Sequence, residues 1–532
     1  MASSWTDDLG AGARFLARLP GYLRHPHDLA TARAILDRRL AAREEDFLSL
    51  VRQRIYQHPN NPYRELLRLA GCELGDMARL VQAEGLEGAL RSLYRHGVYL
   101  TVEELKGRRP IARGGTTVDW DPAGFRKPAS SARFAAQTSG SRGARTPVVL
   151  DLDFLADLAV NRALALAARG GRDWRVAYWD VPGGGLGAIL VAAKAGAVPV
   201  RWFSPVDPEL PGCHPRYRWS ARLARYGSLV GGRALPVPRH VSVADPRPIA
   251  QWMASVLARG ETPFLTTYSS PAVRLCRAAQ ADGIRLEGAR LALYGEPVTE
   301  ARVAIIQKAG ASVIPVYTAM ESGRIGDGCL APAAADEVHF FQDSHAMIQP
   351  GAADARPGLP TGALLLTSLR ATAPVTLLNA SMGDQAVVSE RACGCPLEAL
   401  GWKTHLHTIR SYEKLTAGGM TFLDVDVIRV LEQVLPERFG GAPTDYQLVE
   451  GRAENEHPRV RLLVHPALGT LDTEAVRRAF IEALGQGSGS ERIMAMVWGD
   501  ADVLRVERRP PIVTESGKIL HLHLDTNREA SG

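Results

Sequence analysis

Between residues 148 and 317 short, apolar, β-rich runs alternate with amphipathic segments of helical period, and this alternation restricts the fold more than any other feature. The runs are 176–179, 198–203, 264–268, 291–294 and 313–317; helical patterns such as 271–280 and 299–309 lie between them. Strands separated by helices are expected to pair in parallel through βαβ crossovers. Ligands of such sheets bind beyond the carboxyl ends of the strands, so the loops that follow these runs are where chemistry is expected.

The flanks differ. Residues 1 to about 100 read as helices, with Leu29, Leu36, Leu40, Phe47, Val51 and Ile55 near helical spacing until Pro59 and Pro62 interrupt them. Pro110, Gly114 and Gly115 mark a loop. From 361 to 390 the pattern becomes that of antiparallel strands, at 363–367, 375–378 and 385–388. After Arg410 a smaller unit is expected, with helices at 424–434 and 473–484, strands near 446–450 and 460–465, and a strand-like tail at 519–524. The expected fold is α/β: a large domain with βαβ-built sheets and a helical entry region, and a small mobile α+β domain. Its parts are 1–125, 126–410 and 411–532.

Hydrophobic residues make up 46% and charged residues 23%, which excludes wholesale disorder. The longest near-continuous apolar stretch, 186–193, is too short to span a bilayer, and Asp7 and Asp8 stand where a signal peptide would be basic, so a cytoplasmic protein is expected. The net charge of +6 comes from 63 basic against 57 acidic residues, mixed rather than clustered, so no nucleic-acid partner is expected. Only 7 of the basic residues are lysines, so a job that needs a compact ammonium falls to one of few positions. Six cysteines make no disulfide framework.

The segment Thr138-Ser-Gly-Ser-Arg-Gly-Ala-Arg-Thr-Pro147 is rich in hydroxyls and glycine. Its backbone N–H groups could wrap a polyphosphate, although Arg stands where a Walker A loop needs Gly-Lys. It resembles the Thr-Ser-Gly-Ser/Thr-Thr-Gly phosphate loop of the adenylate-forming superfamily, which includes acyl-CoA synthetases, peptide-synthetase adenylation domains and luciferase-like ligases. Four further motifs follow in that family's order. Tyr294-Gly-Glu-Pro297 resembles the adenine-site loop, Tyr317-Thr-Ala-Met-Glu321 the Tyr-Gly-x-Thr-Glu segment, Met382-Gly-Asp384 the Thr-Gly-Asp motif, and Thr514-Glu-Ser-Gly-Lys518 the carboxy-terminal Thr-x-Ser-Gly-Lys. Asn61-Pro-Tyr-Arg-Glu-Leu66, His339, Asp343 and the Cys-x-Cys at 393–395 resemble the phenylacetate–CoA ligase-like branch.

The resemblance implies ATP-dependent activation of a small carboxylic acid to acyl-AMP with pyrophosphate release, then transfer to CoA or the phosphopantetheine of an acyl carrier protein. By the same resemblance Lys518 and Arg410 are catalytic, with Arg410 on the hinge side. Glu321 holds Mg²⁺, with Thr138 as a helper. Thr138, Ser139, Gly140, Ser141, Arg142, Gly143, Gly295, Glu296, Pro297, Tyr317, Thr318 and Asp384 bind the nucleotide, and Asp384 grips the ribose. Tyr268 and Ser269 follow a strand and are placed in the acid pocket. A positive charge held in a dry site would lower the barrier between two anions, carboxylate and ATP.

The pattern also departs from that family. Arg410-Ser-Tyr-Glu-Lys lacks the usual acidic hinge, the phosphate loop lacks its Pro-Lys end, and Met320 replaces a threonine. Adenylation without thioester formation, or a nucleotide-binding regulatory or scaffold protein, therefore stays open. Cys329, His339, Cys393 and Cys395 form the ligand set of a closed structural Zn²⁺ site, or are plain reduced cysteines. His405 and His407 read as structural. Gly183-Gly-Gly-Leu-Gly187 lacks the acid that a dinucleotide site would need, and reads as close backbone packing.

Overall fold

The computed structural model describes residues 5–118, 120–127, 133–137, 147–207, 215–412, 416–417, 420–421, 425–451, 459–486 and 504–524. The alternating region forms β1 (Arg175–Trp179), β2 (Arg201–Ser204), β3 (Pro238–His240), β4 (Pro263–Tyr268), β5 (Arg290–Tyr294) and β6 (Ser312–Ala319). These six strands are all parallel, in the order β3-β2-β1-β4-β5-β6. The sheet then continues antiparallel through β7 (Gly323–Gly328), β8 (Val338–Phe340), β9 (His345–Ile348), β10 (Ala363–Ser368), β11 (Ala380–Glu390) and β12 (Thr404–Ser411). Beyond β6 the order is β7-β8-β12-β11-β10-β9, which makes one sheet of 12 strands.

Central strands must be apolar on both faces, and β4 is buried at every position. One face packs Leu275, Cys276 and Ala279 of the helix Ser269–Ala281 against Leu265, Leu291 and Leu293. The other packs Ile189, Leu190 and Ala193 of the helix Pro182–Lys194 against Val176 and Trp202. The amino-terminal helices share the core of the antiparallel half, where Leu66, Leu90 and Leu93 meet Leu364, Leu366 and Leu378. Asn61 starts one of these helices by accepting the Tyr63 N–H at 3.0 Å, with Pro62 in the first helical turn, where its missing N–H costs nothing.

Two local expectations need correction. The segment around Gly114 and Gly115 is not a plain loop but the turn of a hairpin between Ile111–Arg113 and Thr116–Val118. The run 375–378 forms no strand. The Thr376 N–H donates to the Phe125 carbonyl at 2.7 Å beside an isolated bridge between Val375 and Arg126, whereas the next two amides go to side-chain oxygens, Leu377 to Ser368 Oγ at 3.2 Å and Leu378 to the Tyr63 hydroxyl at 3.1 Å; Leu377 and Leu378 are buried. An apolar run with β character can be core without joining a ladder.

Residues 425–451, 459–486 and 504–524 form a smaller unit around their own core of Leu448, Leu462, Phe480 and Leu484. Its sheet runs Leu504–Glu507, Arg459–Val464, Tyr446–Gly451, Leu522–Leu524. The helix beginning at Val425 widens into a π-helical turn at Val430–Val434.

Candidate active site

The carboxyl ends of β5 and β6 open into a cleft closed on its far side by Ile519, Leu520, His521 and Leu522 of the smaller unit. Gly295, Glu296, Pro297, Tyr317, Thr318, Asp384 and Arg410, singled out from four separate stretches of sequence, all line it. Gly295 has φ +71°, and a Cβ there would lie 3.0 Å from Lys518 Nζ and 3.1 Å from the Tyr268 ring. A side chain there would strain the backbone and press on both neighbours.

Lys518 is 7% exposed and reaches this site on a closed turn. Thr514 N–H donates to the Lys518 carbonyl at 2.9 Å, Gly517 N–H to the Thr514 carbonyl at 2.8 Å, and Lys518 N–H to Thr514 Oγ1 at 3.1 Å. Gly517 has φ +87°, and a Cβ there would strike Val243 at 2.7 Å, so glycine lets the turn press against the large unit. The ammonium lies 4.3 Å from the centroid of the Tyr268 ring.

Behind that ring is a group that sequence reasoning missed. Asp180, the residue after β1, accepts hydrogen bonds from Tyr268 OH at 2.8 Å, Tyr294 OH at 2.5 Å and Val181 N–H at 2.7 Å. Burial pushes its carboxyl above the usual carboxylate range, against the opposing pull of these hydrogen bonds and of Lys518. The two tyrosine hydroxyls are themselves held well above their ordinary range by burial and by Asp180, so they stay protonated donors. Nothing local in Trp179-Asp180-Val181 signalled this, because its partners stand at the ends of neighbouring strands. Ser269 is buried, the first residue of the helix after β4; it is Ser270 that makes hydrogen bonds there, to Glu296.

Across the cleft Tyr317 OH donates to Asp384 Oδ2 at 3.0 Å, and burial followed by Asp384 keeps the Tyr317 hydroxyl protonated. Thr318 Oγ1 donates to the Gly323 carbonyl at 2.9 Å, fixing the turn that carries Glu321. Arg410 is gripped by another residue unseen in the sequence, Asp336, at 2.6 Å. The same carboxylate accepts the Thr408 and Ile409 N–H groups at 2.8 Å each, where Thr408 adopts φ +52°, strained for a β-branched residue. Thr138, Ser139, Gly140, Ser141, Arg142 and Gly143 lie outside the described residues.

A second cluster lies away from the cleft. Ligand atoms of Cys329, His339, Cys393 and His405 all lie within 4.8 Å of one another. Cys395 Sγ is 3.2 Å and Cys393 Sγ 3.6 Å from His339 Nε2. Tetrahedral zinc ligands at ordinary bond lengths stand ~3.3–3.8 Å apart, so these donors suit that ion. His339 Nδ1 faces the Trp402 carbonyl at 2.6 Å, which leaves Nε2 to a ligand, and burial drives the imidazole down to about 4, into the neutral form that binds metals. The structure thus gathers the four residues singled out in the sequence and adds His405, whose two ring nitrogens have no hydrogen-bond partner among the described residues.

No family model and no curated protein matches the chain. Solved structures similar to it include 2-hydroxyisobutyryl-CoA ligase with 2-HIB-AMP and CoA in its thioesterification state, at 18% identity and TM-score 0.46, covering 91% of this chain and 90% of that one. An open conformation of the same ligase gives 15%, TM-score 0.45, and coverage of 84% and 90%. The McyG A-PCP structure with phenylalanyl-adenylate gives 12%, TM-score 0.43, and coverage of 84% and 72%.

Proposed function

We propose that this chain is an AMP-forming ligase of the adenylate-forming superfamily, nearest its phenylacetate–CoA ligase-like branch. It activates a small carboxylic acid with ATP and passes the acyl group to a thiol, CoA or a carrier-protein phosphopantetheine. One observation carries the reading: residues from four distant motifs line one cleft at the strand ends, and the smaller unit brings Lys518 to its edge.

In the first half-reaction a carboxylate oxygen of the acid attacks the α-phosphorus, the bond to the bridging oxygen breaks, and pyrophosphate leaves. Lys518 supplies positive charge where negative charge gathers, in a site that its own turn helps to close to water. Asp384 accepts from the ribose hydroxyls, and Tyr317 orients that carboxylate. Arg410, braced by Asp336, faces the nucleotide from the other wall. Tyr268 walls the acid side. Glu321, on its fixed turn and with Thr138 as helper, would hold Mg²⁺, which takes few protein carboxylates and the rest of its oxygens from phosphate and water, and supplies charge neutralisation. In the second half-reaction the thiol sulfur attacks the acyl carbon and AMP leaves. A structural Zn²⁺ held by the Cys/His cluster would pin residues 329–345 to residues 385–400.

Pyrophosphate release from ATP and Mg²⁺ across a panel of aryl and fatty acids, with and without CoA, tests the reading. Release that needs a particular acid and collapses in Lys518→Ala is the expected result; no release with any acid or thiol overturns it.

A further inference from the structure

The carboxylate of Glu296, in the loop assigned above to adenine, is already engaged. Its side chain is 1% exposed and accepts Ser270 N–H at 2.9 Å, Ser270 Oγ at 2.5 Å and, from the smaller unit, Ile519 N–H at 3.2 Å. Ile519 is the residue after Lys518. Arg302, on the helix Glu300–Lys308, places Nη1 3.5 Å from Glu296 and Nε 2.7 Å from Glu432 of the smaller unit. Glu432 lies in the π-helical turn, and its carboxylate also meets His521 Nε2 at 2.6 Å and the Thr299 hydroxyl. Arg302 and Glu432 side chains are each 1% exposed.

We infer that Glu296 and Arg302 are positioning residues that seat Lys518 by gripping the chain behind it, at Ile519 and His521, so that docking of the smaller unit and arrival of the lysine are one event. The catalytic meaning rests on the role proposed above for Lys518; the contacts do not. A buried ion pair is a poor source of net stability but a sharp geometric one, since each charge is compensated only when the other stands in place. Withdrawing the smaller unit returns both charges to water, so the network discriminates docked from undocked at low net cost. π-turns recur at functional sites, and this one carries Glu432, whose carboxylate meets Arg302 of the large unit. By contrast Arg277–Asp445, at 3.0 Å, joins the same two units at their rim with its arginine 41% exposed, and is worth little.

Hydrogen–deuterium exchange of the full chain, read by peptide, tests this in wild type, Arg302→Met, Glu296→Gln and the rim variant Arg277→Ala. The first two variants are expected to speed exchange of 516–522 by ~10-fold or more, with β4, β5 and 446–450 at wild-type protection and Arg277→Ala without effect. If Arg302→Met loosens the large unit itself, Glu296→Gln, which changes one polar atom, decides alone. Unchanged exchange at 516–522 overturns the inference. With an acid that wild type activates, the variants are expected to lose kcat for pyrophosphate release with the KM for ATP kept, and a wild-type kcat would overturn the positioning role. Wild-type protein that shows the exchange pattern but releases no pyrophosphate sinks the ligase reading and leaves the docking contact standing.

Discussion

Lys518 Nζ stands 4.3 Å above the ring of Tyr268, whose hydroxyl donates to the buried carboxylate of Asp180 at 2.8 Å. An ammonium that is only 7% exposed needs negative potential before its anionic substrates arrive. The electron-rich face of a tyrosine whose phenol is bonded to a carboxylate contributes it.

Replacing Tyr268 by leucine therefore lowers the rate of pyrophosphate release by ~3–30-fold, the range that a partly desolvated cation–π contact supports. Asp180→Asn acts in the same direction through the ring. Rates measured at saturating ATP check both; full activity in Tyr268→Leu would remove the contact from the mechanism.

Lys518→Ala is expected to lower kcat for adenylation by ~10²–10³-fold, the effect of deleting one well-placed charge donor, with ATP affinity kept. Steady-state pyrophosphate release beside a thermal-shift titration with ATP separates the two quantities.

Gly295→Ala meets both a left-handed backbone angle, φ +71°, and the Lys518 ammonium at 3.0 Å. The backbone alone costs ~1–2 kcal/mol. A lower unfolding midpoint and slower adenylation are expected together, whereas an unaffected adenylation rate would show that the lysine has room to move.

Docking of the smaller unit is sensitive to acid through Glu432. Burial would raise this carboxyl, but Arg302 and then His521 overcome it and hold it down to about 2, against an ordinary value of 4.5. A depressed folded-state pKa contributes stability that is complete above 4.5 and is lost as pH falls through about 2. Wild type and Glu432→Gln are accordingly expected to differ most near neutrality and to converge in acid denaturation between those limits. A constant difference down to pH 2 would assign the stabilisation elsewhere.

For the Cys/His cluster, metal analysis of protein purified without chelator is expected to find about one zinc per chain. The double substitution Cys393→Ser, Cys395→Ser abolishes it, and His405→Ala lowers retention if that imidazole is a ligand. Metal-free wild-type protein would leave the cysteines as thiols.

The sequence alone determined what depends on near neighbours. Alternating short apolar runs and helical periods announced the parallel strands because side-chain burial repeats every two or 3.6 residues. The segment Thr514-Glu-Ser-Gly-Lys518 was legible as a motif because its residues are contiguous, while the turn they close within five residues came from the structure. The tertiary structure alone decided the partnerships. Asp180 meets Tyr268 across 88 residues and Arg302 meets Glu432 across 130, and neither carboxylate carries any local mark of a site. The run 375–378 stopped at an isolated bridge for the same reason, since hydroxyls from Ser368 and Tyr63 took the Leu377 and Leu378 amides. Period and turn chemistry act along the chain, whereas a buried charge is fixed by whichever group the fold delivers to it, and only the packed structure states which that is.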